Sequence, residues 1–150
     1  MYYAVIMAGG AGTRLWPLSR QHRPKQALTL VGNQSMFQHA VERIQSVFPL
    51  ERIMVVTRRE HADLLMSQAP GLPSENFILE PNGRGTAPAI GLAAIHLQKR
   101  DPRATMAILT ADHFISDLEQ FCRVLSAAAE IAGTRYASSR AGTGSRKIES

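Results

Sequence analysis

Residues 3–25 read YAVIMAGGAGTRLWPLSRQHRPK, and the change of character after Ala8 sets the reading of the whole chain. Tyr3–Ala8 is a short apolar run containing the β-branched Val5 and Ile6, the composition of a strand buried on both faces. Gly9, Gly10 and Gly12 follow at once. Glycine admits backbone angles closed to other residues and lets a ligand come close to the main chain. Successive amide N–H groups in such a loop form a nest for phosphate oxygens. Thr13 adds a hydroxyl, Arg14 a planar fork of donors and Lys25 a mobile point charge. Arg14, Arg20, Arg23 and Lys25 crowd into twelve residues, and no carboxylate occurs before Glu42. That local field suits an anion rich in phosphate. A solvated basic loop is the plainer reading of the charge taken alone.

Two common phosphate loops do not fit. The pattern G-x-x-x-x-G-K-[ST] needs a Gly-Lys pair, and the chain has none. The dinucleotide pattern G-x-G-x-x-G begins at Gly10 and Gly12 but meets Leu15 at its last position. The second strand also runs into Thr57, Arg58 and Arg59 instead of a ribose-binding carboxylate. Those arginines keep an NADP-binding oxidoreductase domain as a minor alternative.

Further along, apolar runs of strand length alternate with helical patterns. Ser35 is placed to cap a helix that reaches Phe48, with Met36, Phe37, Ala40, Val41, Ile44, Val47 and Phe48 on one face and Pro49 as its stop. Arg52–Thr57 reads as a strand, Glu60–Ala69 as a helix, and Asn76–Glu80 as a third strand. Thr86–Lys99 is a helix with Pro88 in its tolerant first turn. Met106–Thr110 is a fourth strand, and Asp117–Ala132 a helix expected to end at Gly133. This alternation predicts an α/β domain, a parallel sheet covered on both faces. Ligands of such sheets sit beyond the carboxyl ends of the strands, where the segments starting at Gly9, Glu80 and Ala111 fall.

The bulk composition agrees with one globular domain of 150 residues, 45% hydrophobic and 19% charged. The net charge is +5, of which the final 17 residues contribute +3, so the body is only mildly basic and does not argue for nucleic acid. No run approaches the ~20 apolar residues needed to cross a bilayer, and the N-terminal run lacks the basic start and length of a signal peptide. A single cysteine, Cys122, excludes an intrachain disulfide framework and fits a reducing, cytoplasmic setting. The five histidines show no pair at i,i+4, which argues against a structural zinc site.

The string G-G-x-G-T-R-L-W-P-L-S-R at Gly9–Arg20, followed by P-K-Q at Pro24–Gln26, resembles the mannose-1-phosphate guanylyltransferases, a branch of the sugar-nucleotide pyrophosphorylases. EPNGRGTAPAI at Glu80–Ile90 and TADHFI at Thr110–Ile115 agree with that family in the same order, so the resemblance covers residues 1 to about 132. It implies a Rossmann-like, mostly parallel sheet of the nucleotide-diphospho-sugar transferase type, incomplete here. It also implies transfer of GMP from GTP to mannose-1-phosphate, with pyrophosphate released. Such a transfer needs positioning and charge neutralisation more than a covalent nucleophile.

On that basis Gly9, Gly10, Gly12 and Thr13 form the triphosphate cradle, while Arg14 and Lys25 neutralise the β,γ-phosphates and the departing pyrophosphate. Asp112, following a buried strand, is a hard carboxylate suited to Mg²⁺; its plainer role is to cap the next turn. Glu80, Arg84 and Thr86 are assigned to the guanine and ribose, with Thr86 as a simple helix cap the competing reading. The family usually has Asn where this chain has Gly85, which puts one nucleotide contact in doubt.

After Gly133 the sequence TRYASSRAGTGSRKIES has no apolar run where a further strand is due. Residues 1–133 are therefore read as the nucleotide-binding portion and 134–150 as a divergent, disordered tail, the mark of a truncated or frame-shifted product. A nucleotide-binding fragment without turnover is the main alternative to a working enzyme. Its open sheet edge leaves homo-oligomer formation undecided.

Overall fold

The computed structural model describes residues 1–10, 25–29, 33–83, 85–113 and 115–141, with backbone alone for Lys25 and residues 134–141. Four strands, β1 (Tyr2–Met7), β2 (Ile53–Arg58), β3 (Phe77–Glu80) and β4 (Thr105–Thr110), form one sheet in the order β3-β2-β1-β4. Every pairing is parallel: Ala4 lies opposite Ile53, Tyr2 opposite Thr105, and Val55 opposite Phe77.

The alternation of side chains along β1 builds two cores. Ala4, Ile6 and Ala8 face one way and meet Phe37, Ile44, Phe48 and Leu65. Tyr3 and Val5 face the other way and pack with Val56, Ile78, Ala89, Ala93 and Leu97. Full burial of each large aliphatic side chain contributes about 1.5–3 kcal/mol, so the apolar runs of β1 and β2 are the main cohesive feature.

The helices follow from right-handed crossovers. Helices α1 (Met36–Glu42) and α2 (Arg59–Gln68) connect strands that step from β1 to β2 to β3, and both cover the first face. The chain then reverses direction from β3 to β4, so α3 (Thr86–Arg100) must lie on the opposite face. Ala89 and Ala93 let α3 sit close to the sheet. The last helix, α4 (Leu118–Ala141), returns to the first face, where Leu125 and Phe121 join the core.

Two helices depart from expectation at their C-terminal ends. Ser35 caps α1 in a complete capping box: its hydroxyl accepts from Gln38 N at 3.2 Å, and Gln38 Oε1 accepts from Ser35 N at 2.8 Å. The regular α-helix ends at Glu42 instead of reaching Phe48. Beyond it the chain tightens into i→i−3 bonds, Ile44 N to Val41 O at 3.2 Å and Val47 N to Ile44 O at 3.0 Å, which keeps Ile44 and Phe48 buried in the core.

In α4, Asp117 Oδ1 accepts from Gln120 N at 2.8 Å at the start, but Gly133 does not end the helix, which runs on to Ala141. The expected disordered tail is thus helical over 134–141; residues 142–150 lie outside the described part. Gly133 has no left-handed φ, so it forms no glycine cap. Its helical penalty of about 1 kcal/mol is carried by the alanine-rich turns before it.

Candidate nucleotide site

Because the four strands are parallel, their carboxyl ends share one edge. There β1 is held straight for one residue past its end: Ala8 N donates to Val56 O at 2.8 Å, and the buried Thr57 hydroxyl donates to Ala8 O at 3.2 Å. These two bonds deliver Gly9 and Gly10 across the top of β2. Glu80, the last residue of β3, turns its carboxylate under Gly9 and is only 7% exposed. A Cβ on Gly9 would collide with Glu80 Oε2. Glycine permits this close approach; no unusual turn calls for it. Gly10 would bring a Cβ to 3.1 Å from Nε2 of the buried Gln26. Gly83 lies over Arg58, whose Nη2, Nε and Cζ would stand 2.7, 2.8 and 3.0 Å from an added Cβ.

The first and third strand-end segments therefore meet, as the sequence suggested, with Gly9, Gly10 and Glu80 in one cluster. Three members were not singled out from sequence. In sequence Gln26 stands only as the end of a motif, Arg58 only as a candidate NADP contact, and Gly83 carries no local signal beyond its place among turn residues. The Gln26 and Arg58 roles depend on neighbours distant along the chain. Gly12, Thr13, Arg14 and Arg84 lie outside the described residues, and Lys25 enters only through the backbone of a 3-10 turn, Lys25–Ala27.

The β4 segment reaches the same edge. Met7 pairs with Thr110, and Ala111 N donates to Met7 O at 3.4 Å, which puts Asp112 one strand across from Gly9 and Gly10. Asp112 also borders a groove of about 1190 Å³ that runs between α1 and α4, with Met36, Arg43, His113 and Cys122 among its walls. Among the described residues no cluster of three His, Cys, Asp or Glu side chains is placed to hold a metal.

Thr86 is the first residue of α3, not its cap. That position belongs to Gly85, with φ 95° and ψ −176°, and no side chain caps the helix. This backbone conformation is nearly confined to glycine. Gly85→Ala is accordingly expected to lower stability by about 1–3 kcal/mol or to unwind the first turn of α3, which a urea titration and the amide exchange of Ala87 and Ala89 will show. An unchanged midpoint would mean that the turn relaxes freely.

A parallel sheet with a glycine pair after its first strand, seated on a buried carboxylate from its third, is the frame of a nucleotide-binding α/β enzyme. Comparison with known proteins narrows this class. Residues 3–142 match the family described as Nucleotidyl transferase, and the chain belongs to that family. The mannose-1-phosphate guanylyltransferase of Salmonella montevideo is 43% identical over 134 residues, covering 88% of this chain and 28% of the relative. The alginate biosynthesis protein AlgA of Pseudomonas aeruginosa is 39% identical over 130 residues, covering 85% of this chain and 27% of the relative. Among solved structures, the one described as mannose-1-phosphate geranyltransferase from Thermus thermophilus superposes with a TM-score of 0.76 at 36% identity, covering 87% of this chain and 38% of that one. The chain thus spans little more than a quarter of the length of these curated relatives.

Proposed function

We propose that this chain is the nucleotide-holding part of a guanylyltransferase that joins GMP, taken from GTP, to mannose-1-phosphate. A phosphate oxygen of the sugar phosphate attacks the α-phosphorus of GTP, the α–β phosphoanhydride bond breaks, and pyrophosphate leaves as GDP-mannose forms. The observation that carries the reading is the contact of the Gly9 backbone with the buried Glu80 carboxylate. One small region then offers main-chain amides to phosphates and an acceptor to a base. Guanine presents adjacent N1–H and N2–H₂ donors to such an acceptor, and adenine does not.

The residues fit a magnesium ion that takes most of its ligands from the substrate. Asp112 supplies one hard carboxylate at the correct edge of the sheet, and Mg²⁺ commonly uses one or two carboxylates plus phosphate oxygens. Bound there, the ion would offset phosphate charge. In the proposal Gly9, Gly10, Gly12 and Thr13 cradle the triphosphate, and Arg14 and Lys25 neutralise the leaving pyrophosphate. Glu80, Arg84 and Thr86 face the nucleoside. The sugar phosphate is assigned to no described residue.

Differential scanning of the 150-residue chain tests this. GTP with Mg²⁺ at a hundredfold excess over Kd should stabilise it by about 2.7 kcal/mol, a rise of several degrees in Tm. ATP and NADP should give much less. Pyrophosphate release with mannose-1-phosphate should stay far below that of a full-length relative. Stabilisation by NADP instead, or by no guanosine nucleotide at millimolar concentration, overturns the proposal.

A further inference from the structure

Arg43 sits at the C-cap of α1, yet its side chain serves a segment 70 residues away. Nη1 donates to His113 O at 2.7 Å, and Nη2 donates to Thr110 O at 3.3 Å. The two carbonyls bracket Ala111 and Asp112, so one guanidinium closes the turn that carries the carboxylate. The Phe121 ring lies under the guanidinium, 5.7 Å from Cζ to its centroid, and Cys122 Sγ donates to Arg43 O at 3.4 Å. Burial pulls the Arg43 pKa below the usual arginine range. Desolvating a cation is costly, and two carbonyl bonds and a ring face are what this site returns for it.

The other end of α1 is tied to the phosphate-binding segment. Met36 N donates to Leu28 O at 3.1 Å. Gln68 bridges to both, its Nε2 donating to Ala27 O at 3.3 Å and its Oε1 accepting from the Ser35 hydroxyl at 2.8 Å. A single short helix therefore connects the Lys25–Ala27 turn to the Asp112 turn. A lysine in place of Arg43 would lack the rigid planar fork that spreads two donors over the two carbonyls, so it would hold the turn less firmly.

We infer that Arg43 is a positioning residue for Asp112, fixing its backbone so that the carboxylate meets a divalent cation held on the nucleotide phosphates. This rests on the guanylyltransferase reading above and adds to it a residue that touches neither nucleotide nor metal.

Mn²⁺ with GTP is a suitable probe, free Mn²⁺ being counted by electron paramagnetic resonance on the whole 150-residue chain. Arg43→Met should weaken Mn²⁺·GTP binding about tenfold, while GTP affinity in EDTA changes less than twofold. Arg43→Lys should weaken Mn²⁺·GTP about threefold, and it carries the test should the Met variant not fold. In an Asp112→Asn background, neither change should weaken Mn²⁺·GTP more than twofold further, since coupled residues lose their effect together. A purely structural staple predicts equal losses with and without metal, and equal losses in the Asn background; either result overturns the inference. Unperturbed Mn²⁺·GTP binding in both variants does so too, and leaves the guanylyltransferase reading intact. If the wild-type chain binds no GTP, both fall together.

Discussion

Gly9→Ala is expected to abolish useful nucleotide binding while leaving the sheet folded. The added methyl group would fall on Glu80 Oε2, with Arg58 N 3.9 Å away on another side. Glu80 is 7% exposed at the end of a paired strand, so its carboxylate must leave its present place to admit the methyl group. Either the carboxylate swings out or the backbone at Gly9 lifts off the sheet. Both movements separate the amides proposed to meet the phosphates from the acceptor proposed for the base, and binding groups displaced by an ångström lose most of their value. A loss of at least about a hundredfold in GTP affinity follows, equivalent to ~2.7 kcal/mol. Overpacking of this kind costs about 1–3 kcal/mol, and because Gly9 lies past the end of β1, the lower part of that range applies. The double variant Gly9→Ala with Glu80→Ala should regain the stability without regaining affinity. Calorimetric titration with GTP·Mg²⁺ decides the matter: binding within threefold of wild type would show that the Gly9–Glu80 contact has no part in holding nucleotide.

The same contact marks where the sequence stops being sufficient. The glycines after β1 advertise close approach, but nothing local says to what. The partner, Glu80, is 71 residues later and two strands across, and only the order β3-β2-β1 brings it beneath Gly9. By contrast the strands themselves were legible. Buried parallel strands need both faces apolar, and Tyr3–Ala8, Ile53–Val56 and Phe77–Leu79 satisfy that within a few residues. Ser35 was legible as a cap because the capping box is a local exchange with Gln38.

What failed was punctuation decided by tertiary context. The end of α1 tightens because Ile44 and Phe48 must reach the core, and Gly133 stays helical although glycine often stops helices. Gln26, Arg58 and Arg43 are inconspicuous in the sequence for the same reason: each is an ordinary polar residue until the fold gives it a neighbour. Arg58 is the instructive case. Its place at the end of β2 suggested a ligand for a 2′-phosphate, whereas the structure lays Gly83 over its guanidinium, with no side chain to obstruct the approach.

Among the described residues, Asn76→Ala is expected to be the most destabilising polar-to-alanine change, and to act at the edge of the sheet opposite the site. Asn76 is fully buried immediately before β3. Its Nδ2 donates to Leu50 O at 3.1 Å and to Ile53 O at 2.9 Å, and its Oδ1 accepts from Arg100 Nη1 at 2.6 Å. One amide thus joins the start of β2, the start of β3 and the last turn of α3. Alanine would strand the buried Ile53 carbonyl and the partly buried Leu50 carbonyl and leave a small void. Each orphaned group costs about 1–3 kcal/mol, so a total near 3 kcal/mol is expected, a large share of the 5–15 kcal/mol typical of a domain. That corresponds to a fall in Tm of roughly 6–12 °C. Asn76→Asp should be no milder at neutral pH, since a carboxylate would face two carbonyl oxygens where a donor is needed. Arg100→Ala provides the contrast. Its guanidinium is reached by solvent and also bonds Glu51 O at 3.3 Å, so losing it should cost only about 1 kcal/mol. At temperatures where the Asn76→Ala variant remains folded, its GTP affinity should match wild type, because the strands that link the two edges are unchanged. A thermal or urea midpoint within the equivalent of about 1 kcal/mol of wild type would mean that Leu50 O and Ile53 O find other donors, and that Asn76 is a bystander to the pairing of β2 with β3.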